Sequence, residues 1–330
     1  MGMPMKRAFL LLLFAACLAA GSPARSAGIF PAKPIRLVCP FAPGSTTDMA
    51  ARSLSDSAKR YFPQPIDVTN RAGASGVLAA VSVAKARPDG YTMLMARVSC
   101  NASVPALDKT TPYKVDDFTF VGITEITPFA VCVRADAPYQ SIRELIAAVR
   151  AAPGKLAYGT AGALSMLDVV GMMLLDSAGL SISAAVSMPH KGDREALASL
   201  LDGRIQFLSG NLPSMMEAIM DGQVRVLAVT TEKRLEALPG IPTIAEAGYP
   251  QLTNAVGWSG LSGPRGLPPE VVRAYAGLLQ KLKSDPQWID ATVSRGAIPY
   301  VLTPEESEAF VREQYDKFTA MGEKLGIIIR

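Results

Sequence analysis

The sequence predicts an α/β protein of two lobes, each built on a mostly parallel, mixed sheet, with a cleft between them. Three observations predict it. Strand-length apolar runs alternate with helix-patterned runs along the chain. A strand-to-helix corner rich in Gly and hydroxyls occurs twice, the first time with Pro43. Two stretches, 135–139 and 238–248, read as crossings between lobes, the second carrying two prolines and two glycines. On this reading residues 28–134 and 249–330 form the first lobe and 135–248 the second.

Residues 1–27 read as an export signal. Lys6 and Arg7 precede an apolar run of about 13 residues, too short to span a bilayer comfortably and suited to a signal core. Cleavage after Gly21, Ala24 or Ala27 is compatible with the pattern. Phe14-Ala15-Ala16-Cys17 also resembles a lipoprotein cleavage box, which makes lipid anchoring at Cys17 the lesser alternative. The expected location is the periplasm. No later run reaches about 18 uninterrupted apolar residues. The segment takes Lys6, Arg7 and Arg25 with it and no acidic residue, so the net charge falls from +4 to +1. A mature charge near zero, without a basic run, argues against nucleic-acid and membrane-surface partners.

Residues 35–39 read as a buried strand and 49–61 as an amphipathic helix. Tyr91 to Met95 and Phe129 to Val133 read as strands, the first after the turn Pro88-Asp89-Gly90. Ser141-Ile142-Arg143-Glu144 has the form of a capping box and opens a helix to about Ala151. Residues 194–201 predict a helix ended by Asp202-Gly203, followed by a strand over 204–208, a helix over 214–220 and a strand over 224–229. Thr303-Pro304-Glu305-Glu306 opens a long last helix, with Pro in its first turn.

The two corners carry the chemistry. The first is Phe41-Ala42-Pro43-Gly44-Ser45-Thr46-Thr47-Asp48; the second is Gly159-Thr160-Ala161-Gly162-Ala163-Leu164-Ser165, after the strand-like Leu156-Ala157-Tyr158 and before the helix-like run 166–177. Each delivers the chain onto a helix N-terminus, where the first N–H groups lack partners and the dipole favours negative charge. Such corners suit anions, and two of them suggest two lobes gripping one small anionic molecule. Asp48 and Asp168 sit in first turns, where dipole compensation and ligand contact are both open readings. Arg97 follows the strand at 91–95 and would supply a bidentate carboxylate fork if it faces the cleft.

Other chemistries find little support. His190 is the single histidine and stands beside Lys191 and Gly192, without a Gly-x-Ser-x-Gly elbow. The first corner lacks the Gly-Lys-Ser/Thr ending of a nucleotide loop. There is no metal-ligand pattern, and no cofactor is expected. Cys39 and Cys132 read as small core hydrophobes, with a Cys100–Cys132 disulfide as the alternative. The methionines at 166, 172, 173, 215, 216 and 220 read as core filler.

In order and spacing, Pro34-Ile35-Arg36-Leu37-Val38, Pro43-Gly44-Ser45-Thr46-Thr47-Asp48, Asn70-Arg71-Ala72-Gly73-Ala74-Ser75-Gly76, Pro88-Asp89-Gly90-Tyr91-Thr92, Lys191-Gly192 and Pro242-Thr243-Ile244-Ala245-Glu246-Ala247-Gly248 resemble the tripartite tricarboxylate transporter receptor family of Bug-type extracytoplasmic solute-binding proteins. The resemblance implies a periplasmic-binding-protein-like fold that closes by a hinge on a small organic acid. It implies a binding receptor rather than an enzyme, feeding membrane permease subunits or reporting to a sensor kinase, with a monomer expected. The family's ligand-holding loops fall on Pro43 to Asp48 and Gly159 to Ser165; with the neighbouring candidates added, the expected ligand set is Phe41, Pro43, Gly44, Ser45, Thr46, Thr47, Asp48, Arg97, Ser99 and Asn101 from the first lobe. From the second lobe it is Gly159, Thr160, Ala161, Gly162, Ala163, Ser165 and Asp168. The departures fall in the lining. Ala163 and Leu164 replace Asn and Gly of the family loop, Asp168 replaces His, Arg97 stands where Thr is common, Asn101 where His is common, and Gly210 where Asp is common. An enzyme using the same cleft, and a receptor that has lost its ligand, are the rival readings.

Overall fold

The computed structural model describes residues 30–330. The export signal, its cleavage point and Cys17 lie outside the described residues. The chain begins with β1 (Ile35–Cys39), α1 (Thr46–Ala58), β2 (Ile66–Asn70), α2 (Val77–Ala84) and β3 (Thr92–Arg97). A π-helical turn, Ser99–Ser103, runs into the short α3 (Val104–Leu107), and β4 (Phe118–Thr127) follows. After Pro128 come β5 (Phe129–Arg134), α4 (Ile142–Ala151), β6 (Ala157–Thr160), α5 (Met166–Ser177), β7 (Val186–Pro189), α6 (Asp193–Leu201), β8 (Phe207–Asn211), α7 (Met216–Met220) and β9 (Val224–Val229). The chain then returns through β10 (Gly257–Pro264), α8 (Pro269–Leu282), α9 (Pro286–Ser294), β11 (Ile298–Pro299) and α10 (Pro304–Leu325).

These strands make two sheets, ordered β11-β4-β10-β3-β1-β2 and β7-β6-β8-β5-β9. The two-sheet α/β class is therefore as expected, but each sheet is mixed. The ladders β1–β2, β1–β3, β6–β7 and β6–β8 are parallel. Those of β10 with β3 and β4, of β11 with β4, and of β5 with β8 and β9 are antiparallel. Parallel pairing, expected to dominate, is confined to the part of each sheet made by strand–helix–strand crossovers.

The crossing between sheets also falls elsewhere. Residues 129–134, assigned to the first lobe from the sequence, lie in the second sheet, where β5 pairs with β8 and β9. The passage is a single residue, Pro128, between β4 and β5. Proline has no N–H to continue a ladder, so one nearly continuous strand serves both sheets. Its carbonyl accepts the Leu212 N–H at 2.9 Å, and Thr230 donates its N–H to the Phe129 carbonyl at 2.9 Å. The return to the first sheet runs beside it, with Asn254 N–H on the Thr230 carbonyl at 2.8 Å.

Local signals explain most element ends. The Ser141 hydroxyl accepts from Glu144 N–H at 3.2 Å, and α4 ends at Ala151 as expected. Thr303 and Glu306 close a reciprocal capping box at the head of α10. Two boundaries shift. The first corner's helix begins at Thr46 rather than 49, because Ser45 is already its cap. The strand expected over 204–208 starts at Phe207, because the N–H groups of Arg204 and Ile205 close the end of α6 on the Ser199 carbonyl.

Phe129, Tyr158, Phe207, Trp258, Tyr275 and Trp288 are fully buried and anchor the packing. Cys39, Cys100 and Cys132 are free and buried, so the disulfide alternative is not realised. Met215, Met166 and Met172 are core residues, but Met220 is 71% exposed and is not core filler. Among the described residues no helix is long and apolar enough to cross a membrane.

Candidate ligand-binding site

Strands β1 and β6 each end in a corner that opens a helix toward the opposite lobe, and the two corners share one construction. In the first, Gly44 has φ of 77° and Ser45 caps α1, its hydroxyl accepting Asp48 N–H at 3.3 Å. The Gly44 N–H donates back to Asp48 Oδ2 at 2.9 Å. In the second, Leu164 has φ of 57°, Ser165 precedes α5, and the Leu164 N–H donates to Asp168 Oδ2 at 3.0 Å. A left-handed residue lets the N–H turn back onto the aspartate, at no steric cost for glycine and at a cost of roughly 1–2 kcal/mol for leucine.

Both aspartates are thereby committed to their own loops. Asp48 also accepts from Asn70 Nδ2 at 2.8 Å and Arg52 Nε at 3.0 Å. Burial opposes its ionisation, but Arg52, the Gly44 N–H and Asn70 outweigh burial and hold its pKa below the ordinary carboxylate range. Asp168 accepts from the Tyr158 hydroxyl and the Ser187 hydroxyl, each at 2.9 Å. Burial, followed by the Asp168 charge, pushes the Tyr158 phenol well up, so it stays a donor. Both carboxylates thus brace the corners from within.

The lobes meet directly across the cleft. Ser75 Oγ donates to the Ala163 carbonyl at 2.7 Å, and Ser103 Oγ to the Leu164 carbonyl at 2.9 Å. Ser99 Oγ, from the first lobe, accepts Met166 N–H at 3.2 Å and so caps α5 from across the cleft. Ser165, the local candidate for that role, instead accepts Ala161 N–H at 3.2 Å. Thr46 Oγ1, in the first turn of α1, donates to Asp193 Oδ2 at 2.7 Å, in the first turn of α6.

Arg97 lies at the centre. It ends β3 opposite Ser259 of β10, is 3% exposed, and reaches from the first lobe to the second. Its guanidinium donates to Ser259 Oγ at 2.8 Å and to Asn211 Oδ1 at 3.1 Å. Among the described residues it forms no ion pair, and a guanidinium carries more donors than these two acceptors use. Burial pushes its pKa down, with the negative charges of Asp193 and then Glu125 opposing that shift. Gly257 leaves the room this needs: a Cβ there would meet Thr127 Oγ1, Asn211 Oδ1 at 2.8 Å and Arg97 Nη2 at 3.2 Å. Behind Arg97, Ser259 Oγ donates to Glu125 Oε1 at 3.3 Å, and Glu125 pairs with Arg295 at 3.0 Å.

The remaining expected residues divide. Thr47 is buried in the first turn of α1, while Pro43 is exposed on the rim. The Phe41 carbonyl accepts from Asn70 at 2.9 Å. Asn101 Oδ1 accepts the Arg97 N–H at 3.1 Å, while its Nδ2 is buried without a partner. Thr160 Oγ1 accepts Gly162 N–H at 3.4 Å, and Gly162 faces Ser75, where a Cβ would come within 2.7 Å of Oγ. Gly159 faces away from the cleft: a Cβ there would meet Ile205, Ala196 and Leu208 inside the second lobe. Sequence reasoning missed Ser75, Ser103, Thr127, Asp193, Asn211 and Ser259. Asp193 follows the Lys191-Gly192 pair already singled out, but a first-turn acid reads as ordinary dipole compensation until the fold brings Thr46 to it. His190 is structural, with Nε2 at 2.7 Å from Ser199 Oγ.

Two mixed α/β sheets joined by two adjacent crossings, with polar corners meeting between them, define the class of two-lobed solute-binding receptors. The chain belongs to the tripartite tricarboxylate transporter family receptors: the model of that family matches residues 50–327. Protein BugT of Bordetella pertussis is 31% identical over 304 residues, covering 91% of this chain and 92% of that protein. The periplasmic binding protein BugD superposes with a TM-score of 0.85 at 30% identity, covering 91% of this chain and all of that one. R. palustris Rpa4515, solved with adipate, superposes with a TM-score of 0.86 at 29% identity over 91% of this chain and 100% of that one. MatC of Rhodopseudomonas palustris, solved with bound malate, gives 0.83 at 25% identity over 89% of this chain and 100% of that one.

Proposed function

We propose that this protein is a periplasmic receptor that captures a small carboxylate-bearing organic acid between its lobes and delivers it to a tripartite tricarboxylate-type permease. One observation carries the reading. Arg97 is a buried guanidinium held between the lobes with no carboxylate partner among the described residues. Burying such a charge without a direct ion pair is costly, and the nearby charges of Asp193 and Glu125 offset only part of that cost. A ligand carboxylate would remove that cost through a bidentate, charge-assisted contact. The acids bound by Rpa4515 and MatC support the ligand class. The corners assist with helix dipoles and the hydroxyl of Ser99, and the segments through Pro128 and Asn254 serve as the hinge on which ligand selects the closed state. The signal over residues 1–27 would bring the chain to the periplasm.

The test is calorimetric titration of wild type and Arg97→Gln with a panel of mono- and dicarboxylates. Arg97→Gln is expected to weaken binding by about 2–5 kcal/mol. Equal affinity in the two proteins removes the assignment of the carboxylate to Arg97.

A further inference from the structure

The corner expected to hold a ligand's acid group already holds one. Asp193 presents its carboxylate to the first turn of α1, where Thr46 Oγ1 donates at 2.7 Å, and the same oxygen accepts Asn211 Nδ2 at 2.9 Å. Asp193 is 6% exposed and belongs to the second lobe, so it enters the first-lobe corner from the side a ligand would take. Asn211 fixes the spacing of charges in the cleft. Its Oδ1 accepts from Arg97 and from Thr127 at 3.2 Å, while its Nδ2 serves Asp193. One amide thus separates a fixed cation from a fixed anion, and both are buried.

From this geometry we infer that Asp193 is a specificity-determining residue: its carboxylate takes the place a second ligand acid group would need, so the cleft selects acids with one carboxylate and a hydrogen-bond-donating ammonium, and rejects dicarboxylates. The inference rests on the proposed seating of a carboxylate at Arg97. A molecule so seated turns its other end toward Asp193 and Thr46. A second carboxylate there meets a like charge in a buried site, where repulsion is weakly screened. An ammonium there gains a charge-assisted hydrogen bond. Discrimination by a repulsive element needs no extra contact with the favoured ligand.

The test is calorimetry of wild type, Asp193→Asn, Asp193→Ser and Arg97→Gln with amino acids bearing one carboxylate, dicarboxylates of matched length and plain monocarboxylates. Wild type is expected to bind the best amino acid at least about tenfold more tightly than its matched dicarboxylate. Both Asp193 variants should narrow that ratio by about tenfold, chiefly by admitting the dicarboxylate. A wild-type protein that binds the dicarboxylate as tightly overturns the inference, whether or not either variant folds. So does a ratio unchanged in a variant whose circular dichroism matches wild type. Acid binding that Arg97→Gln abolishes but Asp193 does not influence leaves the carboxylate seat standing and removes this inference alone. Failure of every probe to bind removes both.

Discussion

The backbone N–H of Leu164 donates to Asp168 Oδ2 at 3.0 Å from a left-handed backbone with φ of 57°, the conformation Gly44 adopts against Asp48 in the other corner. Leucine holds that conformation because its side chain is 8% exposed and packs in the core. Two terms therefore oppose each other at this position. Leu164→Gly relieves left-handed strain of roughly 1–2 kcal/mol and loses buried apolar surface, for a net loss of about 1–3 kcal/mol. Leu164→Val keeps much of the apolar surface but places a β-branched residue at positive φ, where it is a steric outlier. Urea denaturation should find valine less stable than glycine; the reverse order would show that packing outweighs backbone strain.

Asp48 makes acid stability a property of the first corner. Burial raises its pKa, but Arg52, the Gly44 N–H and Asn70 lower it by more, with a net depression in the folded state. A depressed folded pKa contributes stability that is present above the unfolded value of about 4 and is lost as pH falls through the folded value. Asp285, held by Arg60, the Tyr61 hydroxyl and the N-terminus of α9, adds to the same slope. Melting temperature should therefore fall below about pH 4, and Asp48→Asn should flatten part of that decline while lowering stability at pH 7. A variant with an unaltered acid limb would remove Asp48 from this role.

Gly257→Ala tests the crowding around Arg97. Its Cβ would collide with Thr127 and Asn211, displacing the amide that bridges Arg97 to Asp193. Overpacking of this kind costs about 1–3 kcal/mol, and here it would fall on the contact between lobes. Small-angle scattering should show a more open ligand-free particle than wild type. An unchanged profile with an unchanged melting point would mean the cleft yields at no cost.

Burial pushes the thiols of Cys39 and Cys100 up to about 12, and that of Cys132 is pushed up as well. Thiolate is the reactive form. A disulfide-exchange reagent at pH 8 is expected to leave all three silent in the native protein and to label them after unfolding. Rapid native labelling at any of Cys39, Cys100 or Cys132 contradicts this packing.

Ser99 offers a test of the proposed closure. Because it caps α5 from the other lobe, Ser99→Ala should destabilise the closed state by about 1 kcal/mol, the usual cost of losing such a cap. The effect should appear as weaker ligand binding, about fivefold at that energy, with the melting point of each lobe in the open form little altered. Equal affinity would mean that water or Ser165 replaces the lost hydroxyl.

Much of this protein is local, and local features are legible in one dimension. The Ser141 and Thr303 caps, the apolar runs of β1 and β9, and the Gly- and hydroxyl-bearing corners before α1 and α5 depend on residues within a few positions of one another. The family's loops carry the same kind of signal, so the two-lobed class followed from sequence. What tertiary structure decided depends on residues far apart in the chain. Thr46 meets Asp193, Arg97 meets Asn211 and Ser259, and Ser99 meets Met166 only because the crossing at Pro128 folds the second sheet over the first. The same long-range packing placed β5 in the second sheet and turned Gly159 away from the cleft. A side chain's type and spacing give its capacity to donate, accept or carry charge. Its partner is set by the relative placement of two sheets, a sum over many weak apolar contacts that no short stretch of sequence contains.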